Sequence, residues 1–150
     1  MIFQMQEGYL TLGDGDWHDS SVNMLGANHL PTKGTNLVVT REPLPTGMSL
    51  ADYLLNQKSI LSKELTGFKI QQDNPDIING LPAHFIEFTW NNQGGAMYQM
   101  VSVIYIEDGV LNLTATLPGG PDEATREAML VAMKSFKFGA VPAPEGGVPA

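Results

Sequence analysis

Apolar and polar residues alternate at two different periods along this chain, and the switches between them divide it into elements. The first twelve residues alternate around Glu7-Gly8, with Phe3, Met5, Leu10 and Leu12 as apolar anchors, which predicts two short strands and a turn. Gly13-Asp14-Gly15-Asp16 breaks the pattern. Ser21 to Leu25 alternates with Val22 and Met24 on one side, and Asn36 to Arg41 sets Leu37 and Val39 opposite Asn36, Val38 and Thr40. Both segments are predicted strands. Pro43 and Pro45 end the second by removing backbone donors and fixing φ.

The period then lengthens. Leu50, Leu54, Gln57, Leu61 and Leu65 recur at helical spacing, with Tyr53 and Ile60 widening the stripe, Ser49 as N-cap and Gly67 as stop. From Phe68 the strand signal returns as Phe68 to Gln71, Ala83 to Trp90, Met97 to Ile106 and Val110 to Leu117. Asn79-Gly80, Gly94-Gly95 and Asp108-Gly109 are the expected hairpin turns. Gly119-Gly120-Pro121-Asp122-Glu123 opens a second helix with an apolar side of Ala128, Met129, Ala132, Met133 and Phe136. The order of elements predicts one α+β domain over residues 1–138, an antiparallel β-sheet packed against two α-helices. Residues 139–150, rich in Pro and Gly with Glu145 as their one charge, are expected to form a flexible tail.

Composition narrows the function classes. Eight basic and sixteen acidic residues give a net charge of −8, which opposes binding to nucleic acid or to acidic membranes. Cysteine is absent, which excludes disulfides and thiolate chemistry. No apolar run approaches the roughly 18 residues that span a bilayer, and the N-terminus lacks the basic and apolar regions of a secretory signal. A cytoplasmic protein without stable membrane insertion is therefore expected.

Catalytic signatures are missing. No Gly-x-Ser-x-Gly elbow occurs, and His18, His29 and His84 fall at no spacing that gathers metal ligands. Asp14 and Asp16 lack the remainder of a calcium loop and read as a polar turn. The glycine pairs carry no P-loop lysine, and Asn112-Leu113-Thr114 matches a glycosylation acceptor only inside a predicted strand. The chain is expected to be no enzyme and to need no metal or cofactor. Gln57 is more informative. An amide among leucines costs a few kcal/mol unless partners satisfy it, so it either bonds a nearby backbone group or offers a polar contact in an apolar groove. Gln99 poses the same choice, since it shares a strand face with Met97, Val101, Val103 and Tyr105. Eight methionines suit either a core or a surface that accepts varied partners.

Several segments together resemble a known family. They are Asn36-Leu37-Val38-Val39-Thr40-Arg41-Glu42-Pro43-Leu44-Pro45 with its helix, Gly8-Tyr9-Leu10-Thr11-Leu12, Asp19-Ser20-Ser21-Val22-Asn23 and Met97-Tyr98-Gln99. They resemble the DcrB-like family of PsbP-like fold, and within it the Eag-type adaptor chaperones of bacterial type VI secretion. The resemblance covers most of residues 1–138 and implies a cytoplasmic homodimer without enzymatic activity. Its implied partner is the N-terminal transmembrane region of an effector, PAAR/Rhs or VgrG-linked, which it shields and helps load onto the PAAR/VgrG spike. Carried over by position, the resemblance implies a partner-binding groove. Val22 and Met24 would give strand contacts, Asn36 and Thr40 polar ones, Gln57, Leu61 and Leu65 the helix, and Met97 with Gln99 the later strand. Asn36, where a small hydroxyl residue is commoner, and Leu61, where a smaller side chain is expected, depart from the pattern. The alternative is a monomeric DcrB/PsbP-like binding domain of unrelated role.

Overall fold

The long alternating runs in the second half of the chain pair in sequence order and form the centre of the molecule. The computed structural model describes residues 1–107, 109–120 and 122–139. Asp108, Pro121 and all of the expected tail except Gly139 lie outside the described residues. A two-stranded antiparallel sheet joins β1 (Ile2–Gln4) to β2 (Tyr9–Thr11). The main sheet contains β3 (Asn23–Gly26), β4 (Asn36–Pro43), β5 (Lys69–Ile78), β6 (Leu81–Asn92), β7 (Gly95–Ile106) and β8 (Gly109–Pro118). Its six strands run in the order β3-β4-β8-β7-β6-β5, and every neighbouring pair is antiparallel. Two helices, α1 (Leu50–Glu64) and α2 (Glu123–Lys134), complete the α+β fold.

The helices lie on opposite faces, which the sequence pattern did not distinguish. Tyr53 and Leu54 of α1 pack with Ile86, Phe88, Val103 and Val110. Met129 and Met133 of α2 pack with Met100, Ile104, Leu113, Ala115 and Leu117 on the other side. Each large apolar side chain removed from water contributes roughly 1.5–3 kcal/mol, so the two clusters hold three layers together. Cover on both sides explains the consecutive buried run Phe85-Ile86-Glu87-Phe88 in β6. Glu87, 2% exposed, is a carboxylate inside that run. Arg126 of α2 answers it with two parallel bonds, Nε to Oε2 at 2.8 Å and Nη2 to Oε1 at 2.9 Å. The pairing raises the Arg126 pKa above its ordinary value despite partial desolvation.

Element boundaries differ from the sequence reading in several places, three of them at turns or edges of the main sheet. β5 continues to Ile78 rather than stopping at Gln71, with a register shift between Ile70 and Gln72. It is an edge strand, where Pro75 is tolerated because one side of the backbone needs no partner. The β6–β7 turn centres on Gln93-Gly94, since Asn92 pairs with Gly95. Gly109 pairs with Ile106 and so belongs to β8. A Cβ there would collide with the Glu42 carbonyl, so close approach of β4 is what requires glycine at this position. Asn79 and Gly80, by contrast, both take positive φ (51° and 75°) and form the expected tight hairpin turn.

α1 is fixed at both ends and at its middle. The Ser49 hydroxyl accepts from the Asp52 amide at 3.1 Å, and Gly67 takes φ 69° two residues beyond the C-cap Leu65. Lys58 Nζ donates to Asp73 Oδ2 of β5 at 2.8 Å, and His84 Nε2 of β6 meets the other oxygen. The Lys58 hydrogen bond, aided by His84, holds the Asp73 carboxyl below the usual range against partial desolvation. A depressed folded pKa stabilises the protein above the unfolded aspartate pKa near 3.9, and that contribution is lost as pH falls through the folded value. Asp73→Asn is expected to lower stability by ~0.5–1 kcal/mol at neutral pH, a modest amount because the pair is part-exposed. Urea denaturation at neutral pH and again below pH ~3 checks this, with the gap between the two proteins closing in acid.

Candidate functional site

α1 covers only part of its sheet face. Alternation places Asn36, Val38, Thr40 and Glu42 of β4 on the α1 side, and the register sets Asn36 opposite Thr116, Val38 opposite Thr114 and Thr40 opposite Asn112. β7 continues the rows with Gln99 beside Thr116, Val101 beside Thr114 and Val103 beside Asn112. β6 adds Phe88 beside Gln99 and Ile86 beside Val101. Between this floor and α1 opens a cavity of about 230 Å³. Its walls are Thr40, Glu42, Tyr53, Gln57, Leu61, Ile86, Phe88, Gln99, Val101, Val103, Asn112 and Thr114.

Four of the residues singled out from the sequence meet here: Thr40, Gln57, Leu61 and Gln99. Met97 is half-buried on the Gln99 row, next to Trp90. Asn36 is half-buried at the far end of the β4 row, where its Nδ2 donates to the Gly34 carbonyl at 3.2 Å. Met24 pairs with Val38 and extends the same face over the edge strand, 70% exposed. Val22 is exposed but falls before β3, because that strand begins at Asn23. Leu65 is half-buried against the α1-side core with Phe68 and Trp90, away from the cavity wall.

The two glutamines resolve differently. Trp90 Nε1 donates to Gln99 Oε1 at 2.6 Å, and Gln99 Nε2 donates to Thr116 Oγ1 at 2.9 Å. Gln99 thus lines the cavity while its amide is tied across β6, β7 and β8. The Gln57 amide makes no side-chain hydrogen bond among the described residues, though the residue is half-buried on the cavity wall.

A second polar group was missed by sequence reasoning. Tyr53 Oη donates to Glu42 Oε2 at 2.9 Å and accepts from Asn112 Nδ2 at 3.1 Å. Burial above all pushes the Tyr53 pKa up to about 12, with Asn112 opposing and Glu42 reinforcing the rise, so the phenol keeps its proton at neutral pH. The signal was present in Asn112-Leu113-Thr114-Ala115-Thr116-Leu117, whose polar residues alternate with the α2-side core. The site therefore combines apolar side chains with amides, hydroxyls and one carboxylate. His84 and Asp73 lie outside its walls, and among the described residues no cluster of three or more His, Asp or Glu is placed to hold a metal.

Comparison with known proteins places the chain. The DcrB family model matches residues 7–135. The chain belongs to the DcrB family. A Pseudomonas aeruginosa relative named Effector EagT6 is 27% identical over 124 residues, covering 80% of this chain and 82% of that one. A crystal structure of a P. aeruginosa protein of unknown function, PA94, superposes with TM-score 0.76 at 24% identity, covering 96% of this chain and 97% of that one. The solution structure of PsbP from the cyanobacterium Synechocystis gives TM-score 0.54 at 10% identity over 82% of this chain and 95% of that one, a likeness of fold. The α+β architecture of this DcrB-family chain is thus PsbP-like.

Gln57 yields a direct test of the free protein. Replacing its half-buried amide with an apolar side chain of similar size adds apolar contact at the groove wall. Gln57→Leu is expected to raise stability by ~0.5–1 kcal/mol, read as an increase in Tm. A decrease would mean that the amide is satisfied in solution.

Proposed function

We propose that this chain is an adaptor chaperone of type VI secretion. It acts as a cytoplasmic homodimer that holds the N-terminal transmembrane region of an effector, PAAR/Rhs or VgrG-linked, out of water and helps load it onto the PAAR/VgrG spike. The observation that carries this reading is the half-open groove, where Leu61, Ile86, Phe88, Val101 and Val103 lie among amides and hydroxyls, in a DcrB-family chain 27% identical to a protein named Effector EagT6.

Physical requirements agree with it. A transmembrane helix of ~20 residues is about 30 Å long. The cavity meets β4 at Thr40 and Glu42, so such a helix would reach well beyond it along the sheet face. Burial at about 25 cal/mol per Å² drives uptake, and hydroxyl or amide groups accommodate the polar side chains that such helices use to meet one another. One groove covers one side of a helix. A second copy closing over the other side removes the remainder from water, which is the reason for a dimer. Nothing in such a task calls for a catalytic step or a cofactor. Among the described residues no helix is long and apolar enough to cross a membrane, so the apolar segment in this scheme is supplied by the partner.

Co-expression with the N-terminal region of an effector candidate encoded beside this chain, followed by affinity purification and native mass measurement, tests the proposal. A soluble complex holding two copies of this chain is expected. Aggregation of the segment beside a folded monomer would favour the DcrB/PsbP-like domain of unrelated role. Met24→Glu provides the matched variant: at 70% exposure its stability is expected to stay within ~0.5 kcal/mol of the parent, while recovery of the complex falls severalfold.

A further inference from the structure

β5 ends the main sheet, and near its turn into β6 the two faces are covered unequally. The register sets Ile78 opposite Leu81 and Asp76 opposite Ala83 on one face, with Ile77 opposite Pro82 and Pro75 opposite His84 on the other. Ile78, Ala83 and Leu81 join the α2-side core. The other face meets the first turns of α1, and there an open concavity of about 500 Å³ remains, walled chiefly by Leu50, Ala51, Leu54, Pro75, Ile77 and Pro82. It shares no wall residue with the groove that opens toward β4 and β8. Ile77 stands 73% exposed on its rim, the highest value for a large apolar side chain among the described residues.

α2 brings the end of the chain to this spot. Arg126 sits beside Glu87, and further along the helix Leu130 and Lys134 reach Pro75 and Asp76 from the opposite face. Pro75 and Asp76 thus help wall a concavity on each face, with the thickness of the edge strand between the two. The helix ends at Lys134, and Val141-Pro142-Ala143-Pro144 follows seven to ten residues later. Layers pack about 10 Å from a sheet, so passage from the α2 layer to the α1 layer around the edge takes about 20 Å. Seven to ten residues span up to about 23–33 Å at ~3.3 Å each, which is enough. Among the described residues no strand lies outside β5 to block the route.

The chemistry of the segment matches the seat. Val141 to Pro144 carries no charge, and the wall is apolar apart from Asp76 and His84. Two prolines favour an extended polyproline conformation before contact, so little entropy is lost on seating, and they bring no backbone N–H that would need a partner. A short tether also presents the segment at an effective concentration on the order of mM, so a contact too weak to form between separate molecules is made within one.

We propose that Val141-Pro142-Ala143-Pro144 turns back around the β5 edge and seats in this concavity of its own chain, over Ile77 and against the first turns of α1. The seat braces the N-terminal end of the helix that walls the groove. Its occupant is supplied by the chain itself, so the assignment does not depend on the helix-binding reading.

The absence of cysteine gives a clean test. In the full chain, Ala143→Cys carries a single nitroxide, and paramagnetic broadening of backbone amide signals is read by NMR. The amides of Ala51, Ile77 and Gly80 are expected to lose more than half their intensity, while those of Gly26 and Thr116, at the other end of the sheet, keep theirs. Ile77→Glu in the same labelled chain is expected to restore the Ala51 and Gly80 signals; at 73% exposure the side chain is replaceable without loss of fold, which the amide spectrum itself checks. Val141→Asp, which alters no residue of the sheet or helices, is expected to restore them equally. Intact signals at Ala51 and Gly80 in the first sample overturn the assignment and leave the concavity to a segment of another protein. Broadening that survives both substitutions overturns it and moves the contact elsewhere on the surface. Equal broadening when nitroxide-bearing chains without isotope are mixed with isotope-labelled chains without nitroxide overturns it too, since the occupant is then a second copy.

Discussion

Everything at the candidate site depends on how α1 seats on the sheet. Tyr53 and Leu54 anchor it over Ile86, Phe88, Val103 and Val110, and the Lys58–Asp73–His84 contacts pin its outer flank to β5 and β6. A single helix is about 10 Å wide, whereas six strands at ~4.8 Å spacing make a sheet more than twice that breadth. One helix on one face must therefore leave a strip of sheet without cover. The position of α1 decides that the strip falls along β4 and β8, and so decides which side chains line the groove.

The two faces answer the cost of buried polarity in different ways. On the α2 side Glu87 is buried but fully matched by the Arg126 fork, with Tyr98 Oη accepting from Arg126 Nε at 3.0 Å. That network closes on itself and joins helix to sheet. On the α1 side Gln99 is tied to Trp90 and Thr116, yet among the described residues the half-buried Gln57 amide has no side-chain bond and the buried Asn112 Oδ1 has no donor. Buried polar groups are ordinarily satisfied by protein or ordered water, and the Asn112 oxygen marks where this face is less self-contained than the other. The contrast within one small domain is what separates the groove from the core behind it.

Glutamine carries the same lesson at two positions. Gln57 and Gln99 are alike as sequence, each an amide in an apolar row. Their environments differ because Gln99 lies between Phe88 and Thr116 in the strand register with Trp90 on the diagonal, while Gln57 projects from a helix. Leucines of α1 divide similarly: Leu61 and Leu65, one turn apart, both pack against the α1-side core, but Leu61 also walls the cavity and Leu65 does not. Helical spacing puts both on one side and says nothing of where the sheet beneath them ends.

The sequence by itself determined the α+β class, the helices, most strands, the Asn79-Gly80 turn and the facing of Gln99 with Met97 and Val101, because periodicity and turn chemistry are local properties. It also carried the family resemblance that the DcrB match over residues 7–135 bears out. Only the tertiary structure put the helices on opposite faces, carried β5 past Pro75, moved Val22 out of its strand and brought Tyr53, Glu42 and Asn112 into one chain of hydrogen bonds. Those three residues stand 11 and 59 positions apart. Their meeting depends on strand order and helix placement, which follow from packing the whole chain and not from the pattern of any one segment.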